Sequence, residues 1–188
     1  MFLIAAGVLA GVIDAARAGE QFTTLAETVL RRLFASVRHE FARRHGQVPG
    51  ARVAVLGFGK LASREMTAQS DLDFVMLYEA SDPNLMSDGE KPLAASQYFA
   101  RLTQRLIAAV SSPTAEGVLY ETDMRLRPSG NAGPLATSFA GFRTYHEENA
   151  WTWEHQALTR ARVVLADIGF GEKVEDLIAG VLARPRDV

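Results

Sequence analysis

The sequence predicts an α+β domain, on three observations. Short strand-like segments at 52–58, 71–78 and 117–128 lie among longer segments of helical periodicity. Of 188 residues, 48% are hydrophobic and 22% charged, the profile of a globular chain with a core to bury. The length suits one ordinary domain, or one domain with a helical appendage, and no internal repeat or low-complexity segment interrupts it. A formal net charge of −2 argues against general polyanion binding, so nucleic acid is not an expected partner, although a small basic site stays open. The absence of cysteine excludes disulfides and thiolate metal sites and suits a reducing compartment.

The opening MFLIAAGVLAGVIDAARAGE carries an apolar run, and Ala16-Arg17-Ala18 resembles a signal-peptidase site. No Lys or Arg precedes the run, Asp14 follows its apolar part, and it is too short to span a bilayer. Ile4, Val8 and Val12 recur one turn apart, which predicts an amphipathic helix in a cytoplasmic protein without a membrane partner. Thr24-Leu25-Ala26-Glu27 has capping-box spacing and predicts the start of a second helix. Leu25, Val29, Leu33, Val37 and Phe41 form its stripe, Leu30 and Phe34 widen it, and Gly46 closes it.

After the Pro49-Gly50 turn, RVAVLGF (Arg52 to Phe58) reads as a buried strand. A Gly-containing turn, GFGKLASREMTAQS, leads to a second strand from Asp71 to Tyr78, then a polar loop. Leu93 to Val110 reads as a helix with Phe99, Leu102, Leu106 and Val110 on one side. GVLYETDMRLRP (Gly117 to Pro128) alternates like a strand. Helices are expected over Ser138 to about Asn149, Trp151 to about Val164, and Phe170 to about Ala183. In the second of these, Trp151, His155 and Leu158 are expected to pack on the core, with Glu154 and Arg160 as candidates to support a site from behind.

The chemistry concentrates in SDLDFVMLY. Side chains alternate across a strand, so Asp71 and Asp73 point the same way. Two adjacent carboxylates repel, and one takes up a proton unless a cation sits between them. A hard divalent ion, Mg²⁺ above all, resolves this by binding carboxylates together with phosphate oxygens. Further on, Glu121, Asp123, Arg125 and Arg127 share one face of the alternating segment. With that strand beside the first, Asp123 completes a three-carboxylate cluster, and Arg125 and Arg127 stand ready for phosphate. Such a cluster suits in-line phosphoryl displacement. The plainer alternatives are a solvated strand end and a solvated arginine face.

The glycines admit a second interpretation. VAVLGFGKLA fits the dinucleotide fingerprint G-x-G-x-x-A, with Glu79 about twenty residues on as a ribose-binding acid. The intervening KLASREMTAQS is short for a crossover helix and leaves the aspartates without a role. A Walker loop fails on spacing. The turn is therefore expected to meet triphosphate oxygens through backbone N–H groups at Gly59, through Ser63, and through Lys60.

In order, strand, Gly/Ser turn, Asp-x-Asp strand, helix and third-Asp strand, the chain resembles the nucleotidyltransferase fold of the DNA polymerase β type, a mixed sheet with flanking helices. The blocks GFGKLASREMTAQSDLDFVMLY, GVLYETDMRLRPSGNAGPLATS and AWTWEHQALTRARVV resemble the glutamine synthetase adenylyltransferases more closely. EENAWTWEHQALTRARV resembles the C-terminal, adenylylating half of that family, whose other half usually has a shorter block there. The resemblance makes Asp71 and Asp73 paired metal ligands, Asp123 a third ligand and candidate base, and Ser63 a contact to the outer phosphates. Ala62 stands where the family usually has Gly, which puts nucleotide affinity in question.

The resemblance implies a Mg²⁺-dependent transfer of AMP from ATP to a tyrosine of glutamine synthetase, with release of pyrophosphate. It implies residues 1–48 as helices packed on a nucleotidyltransferase unit at 49–188, a fragment of a longer enzyme. PII-protein regulation is expected to act through domains absent here. Phosphorolytic deadenylylation, a non-catalytic nucleotide-binding module and a nicotinamide oxidoreductase built on Gly57, Gly59 and Glu79 are the alternatives.

Overall fold

The computed structural model describes residues 1–115 and 117–184, so the last four residues of the predicted 49–188 unit lie outside the described residues. Along the chain run α1 (Phe2–Leu9), α2 (Ala15–His45), β1 (Arg52–Gly57), α3 (Gly59–Ser63), β2 (Leu72–Glu79), α4 (Ala95–Val110), β3 (Pro113–Thr114), β4 (Gly117–Val118), β5 (Thr122–Asp123), β6 (Ala136–Ser138), α5 (Phe139–Glu148), α6 (Thr152–Leu158), β7 (Arg162–Ala166) and α7 (Phe170–Leu182). Helices and a mixed sheet thus share one α+β unit.

β1 lies at the centre, antiparallel to β2 on one side and to β7 on the other. The far edge of β2 is shared end to end. β5 runs parallel beside Leu72 and Asp73, and β6 runs parallel beside Met76, Leu77 and Tyr78. β3 and β4 form a separate hairpin.

Alternation along the strands splits the core in two. Val53, Val55, Phe74 and Met76 meet a cluster that includes Phe22, Leu30 and Phe34 of α2 and Phe99, Leu102 and Leu106 of α4. Ala54, Leu56, Val75 and Leu77 meet Phe139 and Phe142 of α5 and Phe170 and Val174 of α7. Burial on both faces explains why β1 and β2 read as continuous apolar runs.

Several expectations need correction. α1 ends at Leu9, no residue in it is buried, and Val12 is exposed. The chain turns, and Asp14 caps α2 by accepting from the Arg17 N–H at 2.8 Å. α2 therefore starts nine residues before Thr24. Thr24 is interior to it and donates to the Glu20 carbonyl at 2.8 Å. The buried stripe is Phe22, Ala26, Leu30 and Phe34, while Leu25, Val29, Leu33 and Val37 flank it half-buried.

The expected strand from Gly117 to Pro128 is reduced to two short pieces. The chain turns after Asp123, so Met124 packs with the α2/α4 core and Leu126 with the opposite one. The expected helix from Trp151 to Val164 stops at Leu158, and the β-branched run Arg162–Ala166 joins the sheet instead. Trp151 is 71% exposed and does not pack on the core, whereas His155 and Leu158 do.

The antiparallel pairing of β1 with β2 removes the dinucleotide-binding alternative, which requires parallel strands joined by a crossover helix. Glu79, its ribose-binding acid, is ion-paired to Arg52 and Lys173.

Candidate active site

β5 pairs with β2 in a register that sets Asp123 opposite Asp73. Adjacent strands lie about 4.8 Å apart, and residues in register on parallel strands face the same side. Asp71, two residues before Asp73, shares its parity and is exposed; Asp73 and Asp123 are half-buried. Burial pushes the Asp73 carboxyl above its ordinary range, and the charges of Asp123 and Asp71 push it further. Arg125 and Lys60 pull the other way.

The turn after β1 is held against the same residue. The Phe58 N–H donates to the Asp73 carbonyl at 2.9 Å, which brings the start of α3 alongside β2. Gly59 sits there at φ +50°, and a Cβ on it would lie 2.4 Å from Asp73 Oδ2. Only glycine combines that backbone with that approach. Lys60 follows, exposed, with its charge felt at Asp73. Ser63 ends α3 and donates to Glu65 Oε2 at 2.8 Å. Ala62 is helical and buried, and positive φ at non-glycine residues is confined to Arg64 and Ser129 among the described residues. A methyl group at residue 62 therefore meets no backbone objection.

Asp123 opens a turn in which the Arg125 N–H donates to its Oδ1 at 2.8 Å. The Arg125 side chain folds back over the carboxylate, with Nε at 2.8 Å and Nη2 at 2.5 Å from Oδ2. Hydrogen bonding from Arg125 holds the Asp123 carboxyl below its usual range. Arg127, expected beside the acids as an open phosphate contact, is 6% exposed and donates to the carbonyls of Met124 at 2.7 Å and Gly133 at 3.3 Å. Its structural work is to brace this turn. Asp71, Asp123, Arg125, Arg127 and Asn131 line an open cleft of about 400 Å³.

Among the described residues, no group of three or more His, Cys, Asp or Glu side chains is arranged to hold a metal ion. Both oxygens of Asp123 are engaged by Arg125. The donor set nonetheless has the chemistry of a hard-cation site, with carboxylate oxygens only and an Asp73 that burial, and then its acidic neighbours, make costly to ionise.

Two residues beyond the predicted set attach to α3. Arg162 donates through Nε to the Ala62 carbonyl at 3.1 Å and through Nη2 to the Leu61 carbonyl at 3.0 Å. It also pairs with Glu27. The capping-box spacing at Glu27 and the helical expectation at Arg162 conceal this link; the Val163-Val164 pair after Arg162 is the sign of a strand that the sequence offers. Glu154 is buried, accepts the Trp151 N–H at 2.8 Å and the Tyr145 hydroxyl at 2.9 Å, and so fixes the α5–α6 corner.

The family model described as "Glutamate-ammonia ligase adenylyltransferase" matches residues 1–176. Proteins named "Bifunctional glutamine synthetase adenylyltransferase/adenylyl-removing enzyme" are similar along the whole chain. The one from Brucella suis biovar 1 (strain 1330) is 57% identical over 187 residues, 100% of this chain and 19% of that protein. That from Mesorhizobium japonicum (strain LMG 29417 / CECT 9101 / MAFF 303099) is 54% identical over 186 residues, 99% of this chain and 19% of that protein. The chain thus spans about a fifth of the length of these relatives.

Proposed function

Because the chain belongs to the glutamate-ammonia ligase adenylyltransferase family, we propose that it carries one nucleotidyl-transfer site of the DNA polymerase β type. In this reading it transfers AMP from ATP to a tyrosine of glutamine synthetase. The observation that carries the reading is the register of Asp123 against Asp73, with Asp71 beside them.

Asp71, Asp73 and Asp123 would hold Mg²⁺, which when bound supplies positive charge to the triphosphate oxygens. Lys60 and the N–H groups at the start of α3 face the outer phosphates. Arg125 is exposed and already lies within reach of the acids, so its guanidinium is suited to exchange Asp123 for phosphate. Asp123, freed as Arg125 turns to phosphate, accepts and orients the tyrosine O–H. As its proton passes to Asp123, the tyrosine oxygen forms a bond to the α-phosphorus in line, the bond from that phosphorus to the bridging β-phosphate oxygen breaks, and pyrophosphate leaves with the electron pair. Catalysis of this kind is positioning and charge stabilisation, without a covalent enzyme intermediate.

The relatives' names contain both adenylyl transfer and adenylyl removal. The block EENAWTWEHQALTRARV favours the transferring half. Supplying ATP with unmodified glutamine synthetase in one mixture, and adenylylated synthetase with phosphate in another, separates the two. Transfer in the first mixture alone is expected. ADP release in the second alone assigns the removing half.

A further inference from the structure

Resting on that reading, we infer that Arg162 is a positioning residue that holds the nucleotide-facing helix α3 from behind, with Glu27 as its anchor. α3 has only five residues, too few to hold a helical conformation or direction by itself. Its start lies against Asp73 through Gly59. The carbonyls of Leu61 and Ala62, in its last turn, have no intrahelical partners to accept from, and Arg162 donates to both. A guanidinium at a helix C-terminus also faces the negative end of the peptide dipoles.

The anchor comes from a different layer. Glu27 belongs to α2, and its side chain is 13% exposed. It pairs with Arg162 and lies 3.6 Å from Arg64, the residue that ends α3 in a left-handed conformation. Arg162 itself opens β7 opposite Gly57, the last residue of β1. The far end of α3 is therefore tied to two elements that form the rigid frame of the domain. A shift of that end tilts Gly59 and Lys60 relative to Asp73, and so moves groups proposed to hold the outer phosphates out of hydrogen-bond reach.

The test uses the 188-residue chain and its Arg162→Met, Arg162→Lys and Glu27→Gln variants, in ATP-dependent labelling of glutamine synthetase and in amide hydrogen exchange. For Arg162→Met the KM for ATP is expected to rise about tenfold, the loss of hydrogen bonds from a charged donor, with kcat falling less than threefold. Arg162→Lys recovers part of the affinity, because an ammonium cannot fork between two carbonyls. Amides of Ala62 and Glu65, which bond to the carbonyls of Phe58 and Lys60, exchange faster in Arg162→Met, while those of β1 and β2 stay protected. A folded Arg162→Met with unchanged KM and unchanged exchange overturns the inference, as does a fall in Tm with KM unmoved. Should Arg162→Met fail to fold, Arg162→Lys and Glu27→Gln carry the same two outcomes. A wild-type chain that labels nothing overturns the parent reading, whereas an active wild type with an indifferent Arg162 overturns this inference alone.

Discussion

Asp73 and Asp123 stand side by side, in register on the parallel strands β2 and β5. Burial, and after it the charge of Asp123, raises the carboxyl pKa of Asp73. A site that stabilises a bound cation is in this way destabilised without one, and stability and activity should part company here.

Asp73→Asn tests that separation. The amide keeps the shape and removes the charge, so the metal-free protein should melt roughly 1–3 °C higher at neutral pH. Transfer activity should fall by about 10²-fold or more, since charge stabilisation is lost. Thermal melts with and without Mg²⁺ check both: Mg²⁺ should raise the Tm of the wild type and leave Asp73→Asn unmoved.

Gly59→Ala should damage both properties together. The backbone at φ +50° costs an alanine about 1–2 kcal/mol. The new methyl also meets Asp73 Oδ2, so Asp73 must move. A lower urea midpoint with an unchanged m-value, alongside lost ATP binding, is the expected result.

Arg125→Met addresses the exposed guanidinium. It is exposed, so little packing is lost, but it offsets the repulsion among the acids, and the Tm of the metal-free protein should fall by about 1–3 °C. The KM for ATP should rise about tenfold if the side chain leaves Asp123 for phosphate, the scale of a charged hydrogen bond. Steady-state kinetics at fixed Mg²⁺ measure it.

Glu79→Gln probes the opposite end of β2. Hydrogen bonds from Lys173 and Arg52 hold the Glu79 carboxyl below its usual range. A carboxylate with a depressed folded-state pKa contributes stability above its unfolded value and loses it as pH falls through the folded value. The variant should therefore be about 0.5–1 kcal/mol less stable at pH 7, a partly exposed pair being worth no more. The deficit should shrink below about pH 4.3 and vanish in stronger acid. Urea melts across that range give the difference.

The centre of the fold was legible in the sequence, because β1, β2 and α4 bury nearly every apolar residue that marks them. The edges were not. Arg162–Ala166 is a strand because β1 has a free side to pair with, a fact no local pattern contains. β5 is two residues long because Asp123 turns the chain by bonding to the Arg125 N–H. Alternation in YETDMRLRP correctly suggested a charged side at Asp123 but gave no hint that Arg127 would turn inward to backbone carbonyls. Asp71 and Asp73 stand out in the sequence because acids at the mouth of an apolar strand are physically conspicuous. Glu27 and Arg162 do not, since their meaning lies in a contact 135 residues apart.

Mn²⁺ binding followed by electron paramagnetic resonance, with and without ATP, tests the central claim most directly, since Mn²⁺ shares the oxygen preference of Mg²⁺. The wild type should bind Mn²⁺ more tightly when ATP is present, and Asp73→Asn and Asp123→Asn should each abolish that gain. Equal Mn²⁺–ATP binding by all three proteins would contradict the account.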